Sequence, residues 1–438
     1  MSATPAWRNW AGDQACSPAA VEHPRSVAEV VEAVGRAREG GRGLRVAGAG
    51  HSFTDAVLTD GTLLALDRMR RVLEIDRGSG LARVEAGISL NELSEALWGH
   101  GLALENLGDV DVQSIAGATA TATHGTGARL RNLSAALEEV ELVTADGSLL
   151  RVSESDEPEA WRAARVSVGA LGVVTAVTLR AAPAFTLEGV DSTAPLEEVL
   201  GRIDDLADAA DHFEFYVFPH SPLALTRTNR KVDRPPEPPS RARAWVDDVL
   251  LRNHVFGLAC AAGRRAPRLI PQLNRLLARA SGTSRRVDRS YRVFASPRLV
   301  RFTEMEYALP RERAAEAVRA VLEVAQRPGF AVPFPIEVRF VAPDDALLSP
   351  AGGRETCYIA VHMYRGMEWE PYFRAVERVM DGLAGRPHWG KRHFQTAATL
   401  AGRYPEWDRF QEVRGRLDPD GLFANDYVRR VLGPPPAG

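Results

Sequence analysis

Glu337 and Arg339 stand one residue apart in the stretch PIEVRFVAP. That spacing matters because alternate side chains of an extended strand share a face. A carboxylate and a guanidinium on one face, with Ile336, Val338 and Phe340 filling the other, describe a buried strand whose polar side looks into a cleft. An exposed ion pair, worth little, is the plainer alternative. His362 and Tyr364 alternate in the same way with Tyr358 and Ala360 in CYIAVHMY and extend the wall, a satisfied core histidine being the other reading of His362. Lys391 sits among ring-bearing side chains in RPHWGKRHF, where His388 and Trp389 read as support and Arg392 as a surface residue. Of the 54 Lys and Arg residues only Lys231 and Lys391 are Lys, so a Lys kept here asks for a compact point charge where a broad planar guanidinium does not fit. Acids, cations and an imidazole in one cleft can orient a polar substrate and move a proton.

Two glycine-containing stretches supply a different chemistry. In RVAGAGHSFTD, residues 45–55, a strand runs into Gly48 and Gly50, whose backbone N–H groups can be approached closely and can form a nest for a pyrophosphate. His51 and Ser52 follow where a dinucleotide fingerprint needs a helix with a third glycine, so the motif is not of that kind, and a plain tight turn is the alternative. GDVDVQSIAGATATATHGTG, residues 108–127, has four Gly, nine Ala, Thr or Ser and a central His124. It reads as extended backbone and hydroxyls laid against a large flat ligand, with a flexible linker as the bland alternative.

The elements that must position these residues follow from periodicity. HPRSVAEVVEAVGRAREGG opens on a Ser26/Glu29 capping box and places Val27, Val30, Val31 and Val34 at helical spacing. Short strands follow in GLRVAGAG, LLALDRM, RVLEID and LARVEAG, then a second helix in SLNELSEALWGHG. LEEVELVTADGSLLRVS reads as a hairpin turning at Asp146-Gly147, and ALGVVTAVTLRAAP as the strand that closes this region. Beyond residue 185, DHFEFYVFP, PIEVRFVAP and CYIAVHMY are strands and RERAAEAVRAVLEVAQ and EPYFRAVERVMDGLAG helices: one large sheet with helices on one face. VDRPPEPPSRARA reads as an exposed loop.

With 438 residues, 45% hydrophobic, 25% charged and a net charge of −3, the chain has the composition of a globular protein of two or three domains, without the basic surplus that nucleic acid requires. No apolar run reaches the roughly 18 residues of a membrane span, and MSATPAWRNWAGDQ lacks the features of a signal peptide. A cytoplasmic protein is expected, with peripheral membrane contact left open. Cys16, Cys260 and Cys357 are scattered, fit neither disulfides nor a metal site, and read as small core residues.

Five motifs taken in order, AGAGHSFTD, SIAGATATATHGTG, GALGVVTAVTL, PIEVRF and RPHWGK, resemble the vanillyl-alcohol-oxidase class of flavoproteins. Within that class the chain is similar to the sugar-1,4-lactone oxidoreductases, close to the bacterial L-gulono-1,4-lactone dehydrogenases and related to the alditol oxidases. The resemblance covers nearly the whole chain. It implies an α+β architecture with a PCMH-type FAD-binding domain over residues 1–182 and a substrate domain over 183–403 built on a large antiparallel sheet flanked by helices. A C-terminal segment, 404–438, returns to the first domain.

The resemblance also assigns roles. Val46, Ala47, Gly48, Ala49, Gly50, His51 and Ser52 fall at the FAD pyrophosphate turn. Ser114, Gly117, Thr121, Ala122, Thr123 and His124 fall on the stretch that wraps the flavin, and the backbone of Val174 near the phosphate or adenine. His51 takes the place whose ring, in many members, is bonded to the flavin 8α-methyl carbon. Glu337 and Arg339 fall at the substrate hydroxyls with His362 assisting, and Lys391 where a cation stabilises the anionic reduced flavin. The implied reaction takes a hydride from a secondary alcohol of an aldono-1,4-lactone to flavin N5. L-Gulono-1,4-lactone would yield L-ascorbate after isomerisation, and an alditol oxidase releasing hydrogen peroxide is the alternative. Asp109 and Tyr364 replace a Ser and a Thr of the alditol oxidases at the substrate, which tilts the reading toward a lactone. The electron acceptor is O2 or a cytochrome, and Gly108 matches the position that gates O2.

Overall fold

The strands sort into three main sheets. Ala20–Glu22, Thr62–Ala65 and Leu44–Ala47 form a small parallel sheet in that order. Leu149–Ser153, Leu137–Val143, Val173–Arg180, Leu81–Glu85 and Val72–Asp76 form an antiparallel sheet of five. The third has eight strands, all antiparallel, in the order Ser284–Arg289, Thr186–Pro195, Leu223–Val232, His212–Val217, Ile336–Val341, Thr356–Tyr364, Phe302–Pro310 and Arg386–Pro387. This computed structural model describes residues 7–435. Residues 1–6, the start of the stretch expected to carry no leader, and 436–438 lie outside the described residues. Among the described residues no helix is long and apolar enough to cross a membrane.

Local signals explain most elements. Ser89 and Glu92 complete a capping box at the helix Leu90–Gly99. At Val27–Glu39 only half of one forms: the Ser26 hydroxyl accepts from Glu29 N–H, whereas the Glu29 carboxylate accepts from Arg25 N–H, one residue earlier than the motif requires. The hairpin turns where expected, with Gly147 at φ +87°. The helices Ala314–Ala325 and Glu370–Gly382 cover one face of the large sheet, and Ile336, Val338, Phe340, Ile359 and Val361 lie in the core between. The opposite face carries the polar residues.

Two expectations are corrected. The stretch 108–127 is not extended throughout: Ile115–Ala120 is a short helix capped by Ser114, because Ala-rich sequence with a Ser before it favours a helical turn. The hydroxyls of Thr119 and Thr121 donate back to the carbonyls of Ile115 and Gly117, so they can meet a ligand only as acceptors. Arg392 is no surface residue, since its guanidinium donates to Asp13 and Thr303, both at 2.6 Å, and lies over the Trp369 ring.

The C-terminal residues Tyr404, Phe410, Val413, Tyr427 and Val431 share a core with Ala82, Val84, Leu93 and Leu142. Asn425 caps the helix Asp426–Leu432 and donates its amide to the carbonyls of Asp55, Ala56 and Leu58, just past the glycine turn. Buried Arg45 ties the same region, donating to the carbonyls of Ala56, Val168, Gly169 and Phe423.

Candidate active site

Strand register builds the polar face. Glu214 lies directly across from Arg339 on one side and Arg227 on the other, Tyr216 across from Glu337, and Glu304 across from His362. Ala360 pairs with both Glu337 and Glu306, and its small side chain leaves the middle of the face open. This face and the residues around His51 enclose a cavity of about 1120 Å³.

The charges in the cavity form two groups. In the first, Arg339 Nε lies 2.5 Å from Glu337 and 3.0 Å from Glu214, and its Nη2 lies 3.5 Å from Asp109, which also pairs with Arg298. Burial pushes Glu337 up to about 7; Asp109 and Glu214 add to burial, while Arg339 opposes it. In the second group Lys391 Nζ lies 2.5 Å from Glu304 and 4.0 Å from Glu306. His362 Nε2 lies 3.5 Å from Glu304 and 3.9 Å from Glu337, joining the two groups. Its Nδ1 faces the Pro335 carbonyl, an acceptor only, so that nitrogen carries a proton. Burial pulls the His362 pKa down, but the Glu304 carboxylate more than offsets it and the net direction is up.

His124 is fixed by the same reasoning. Nδ1 donates to the Gly125 carbonyl at 2.8 Å, Nε2 lies 3.2 Å from Glu306, and the ring stacks on Tyr358 with centroids 3.7 Å apart. Burial works against ionisation of Glu306, yet His124 and Lys391 hold its carboxyl well below the usual carboxylate range. His124 belongs to the glycine-rich stretch and Glu306 to the large sheet, so this contact clamps the two together. Gly127 N–H to the Phe340 carbonyl and the Thr126 hydroxyl to the Phe213 carbonyl do the same.

The loop bearing Lys391 is pinned from both sides. Phe53 N–H donates to the Gly390 carbonyl at 2.8 Å, and the Tyr427 hydroxyl to the Trp389 carbonyl. A Cβ at Gly390 would stand 3.3 Å from the Ser52 hydroxyl and 3.4 Å from that of Thr121, which shows how little room remains. His51 lines the cavity and stacks on Trp10 with centroids 5.3 Å apart. Burial, with Lys391 and Arg301, lowers its pKa to about 4, so the ring is neutral at neutral pH.

Models of two protein families match the chain: an FAD binding domain over residues 18–153 and D-arabinono-1,4-lactone oxidase over residues 177–431. The L-gulono-1,4-lactone dehydrogenase of Mycobacterium tuberculosis is 52% identical over 98% of this chain and 100% of its own. This chain belongs to the D-arabinono-1,4-lactone oxidase family. The mouse L-gulonolactone oxidase is 34% identical over 97% of this chain and 98% of its own, and a Streptomyces alditol oxidase 32% identical over the same shares. The crystal structure of cholesterol oxidase from B. sterolicum superposes with a TM-score of 0.83 over 98% of this chain and 96% of that one, at 19% identity, which establishes the shared fold.

As a family member the chain is an FAD-dependent oxidoreductase, and its cradle fits the cofactor. A Cβ at Gly48 would overlap the Ser114 hydroxyl, so the turn and the short helix approach as closely as backbone allows, and Gly50 takes φ +68°. The Thr123 hydroxyl is buried, makes no hydrogen bond and lines the cavity, leaving a donor for a polar ring edge. Ala122, buried beside it, sits at φ +60°, an uncommon conformation for a residue with a Cβ.

The family's positions do not all meet here. His51, Ser52, Asp109, Thr121, Thr123, His124, Glu337, Arg339, His362 and Lys391 line the one cavity. The Val174 side chain packs against the hydrophobic cores and is not part of the cavity lining. Tyr364 is not part of that lining: its ring lies under the Arg264 guanidinium, 5.3 Å away. Glu304 and Glu306 are additions. They alternate in FTEMEYALP much as Glu337 and Arg339 do in PIEVRFVAP, so period-two charge between apolar residues is the signal that finds them. Arg298 lies in a loop without periodicity, and only the fold brings it to Asp109.

Proposed function

We propose that the protein oxidises a secondary alcohol of an aldono-1,4-lactone, with L-gulono-1,4-lactone as substrate and L-ascorbate as the product after isomerisation. The observation that carries this reading is the Glu337–Arg339 pair, Arg339 buried and Glu337 half-buried, facing the cavity in a chain so similar to two enzymes named for that lactone. FAD, when bound, accepts the electron pair and the carbon-bound hydrogen of the substrate. Val46 to Ser52, Ser114, Gly117 and Thr121 to His124 hold the cofactor. Arg339 and Asp109 hydrogen-bond the substrate hydroxyls and fix the donor carbon. Glu337 takes the proton from the reacting hydroxyl, and His362, between Glu337 and Glu304, passes it on.

Glu337 must be ionised to accept that proton. With its pKa near 7, kcat/KM rises as pH increases through about 7 and levels off above, and Glu337→Gln removes this limb of the profile along with most of the rate. A profile flat across neutral pH would exclude Glu337 as the base.

Anaerobic bleaching of the flavin tests the substrate. L-Gulono-1,4-lactone bleaches it fast and xylitol slowly; the reverse order would make the protein an alditol oxidase that releases hydrogen peroxide. Readmitting air or adding a cytochrome then identifies the acceptor. Gly108 supports O2, because a Cβ there would stand only 3.1 Å from the His124 carbonyl and narrow the cavity wall.

Covalent attachment through His51 is supported by a neutral ring on the cavity wall beside Trp10. Acid-denatured protein should carry flavin fluorescence with its band on a gel, and His51→Ala should release it. Fluorescence that stays with the His51→Ala band would place the link elsewhere.

A further inference from the structure

The helices between residues 241 and 280 leave many of their large apolar side chains exposed. Arg241–Ala244 leads into a π-helix, Trp245–Val255, then Phe256–Arg265 and Ile270–Ala280. An ordinary surface helix points its apolar stripe at the protein and its polar side at water. Here Phe256 and Ile270 pack inward, but several of the other inward positions are small or polar. Asn253 donates to the carbonyls of Asp248 and Pro297, and Asn274 to those of Pro219 and Val332. Gly263 lies so near Ile270 that a Cβ would stand 2.9 Å from its side chain.

Other large apolar side chains face out. Leu258 is 71% exposed, Leu276 63% and Trp245 52%. Seven of the twelve exposed large apolar side chains among the described residues fall between 245 and 276, although this is a small part of the chain. Leu251 and Val255 are at the rim of the cavity; Trp245, Val246, Leu258, Leu269 and Leu276 are not part of its lining. A concentration of this kind marks an interaction surface.

Charge identifies what it meets. Residues 241–280 contain eight Arg against two Asp in a chain whose net charge is −3. Of the eight, only Arg243 and Arg252 find a carboxylate among the described residues, Asp247 and Asp191. Arg265, Arg268, Arg275 and Arg279 are exposed beside the leucines. Apolar side chains for the acyl boundary, a Trp, and unpaired Arg for anionic headgroups are what a helix lying in a membrane interface presents. We propose that residues 241–280 dock the enzyme peripherally on an anionic lipid bilayer, with the cavity rim at Leu251 and Val255 close to that surface.

Sedimentation of the full FAD-loaded chain with lipid vesicles tests this. The protein pellets with vesicles of phosphatidylcholine and phosphatidylglycerol, much less with phosphatidylcholine alone, and is released by salt. The double variants Arg268→Glu/Arg275→Glu and Leu258→Ser/Leu276→Ser each weaken vesicle binding by about tenfold or more. Both retain flavin absorbance and the rate of lactone oxidation in vesicle-free buffer, since neither touches the site. Three outcomes overturn the proposal. One is no more protein in the pellet with phosphatidylglycerol than without vesicles. Another is lipid binding that survives both variants. The third is a stable dimer in vesicle-free buffer that Leu258→Ser/Leu276→Ser converts to monomers, which makes the apolar face a contact between copies.

Discussion

Arg339→Leu is expected to abolish most activity and to destabilise the fold by about 3 to 5 kcal/mol, the cost of removing one partner from a buried ion pair. The effect is large because Arg339, a buried residue, is shared: Glu337, Glu214 and Asp109 all lean on its one guanidinium. Losing it leaves the Glu337 carboxylate without its cation, whereas Asp109 keeps Arg298 and Glu214 keeps Arg227. The pH dependence shows whether this is the cause. Stranded carboxyls have folded-state pKa values raised above their unfolded ones, so their contribution is lost as pH rises and recovered as pH falls. The difference in melting temperature between variant and parent should therefore shrink from about pH 8 to about pH 5. A constant difference would mean that the loss comes from packing rather than charge. The rate should drop roughly 100- to 1000-fold, as when one preorganised electrostatic partner is removed elsewhere. Arg339→Lys should recover part of the stability and little of the rate, because an ammonium cannot serve three carboxylates and a substrate in one plane.

Lys391→Arg is the second large effect, and it separates shape from charge. The ammonium sits between Glu304 and Glu306, in a loop where Gly390 is pressed against Ser52 and Thr121. Burial alone would lower its pKa, but the two carboxylates more than offset that and keep it charged. A guanidinium preserves the charge, so the fold survives with a melting temperature near the parent's. Its fork does not fit, and the displaced Glu304 takes His362 with it. Flavin reduction, followed by stopped-flow absorbance, should slow by up to roughly a hundredfold, the cost of a misplacement of about 1 Å. Reduction at the parental rate would show that the site tolerates any cation there. Lys391→Met should instead lower stability, since Glu304 and Glu306 then face each other unneutralised.

The sequence makes the strand faces legible because a period of two is short, local and unaffected by the partner strand. Glu337 and Arg339 appear in it as a pair, and the core at Ile336, Val338 and Phe340 is as periodicity requires. What periodicity does not contain is register. Glu304 becomes important only because it lies across from His362, and Glu214 only because it lies across from Arg339. Tyr364 shows the converse. It alternates correctly with His362, but it is the last residue of its strand and has passed beyond the cavity. The helices after residue 241 escape a reading based on a 3.6-residue repeat for another reason. Eleven residues wound as a π-helix shift the phase, and Trp245, Val246, Leu251 and Val255 within it are exposed. The short helix at Ile115–Ala120 is hidden by composition, since Gly, Ala and Thr give no contrast between faces.

Asn425 carries a consequence for how the molecule is made. Its amide holds the carbonyls of Asp55, Ala56 and Leu58, 367 to 370 residues earlier, while the Phe423 carbonyl holds Arg45. The turn that carries His51 is thus finished by residues near the other end of the chain. During synthesis, the FAD-binding half would lack these contacts until nearly all of the polypeptide has left the ribosome. Cofactor capture is then expected late in maturation, and a chain cut short before residue 420 would present the glycine turn without the strap that closes it.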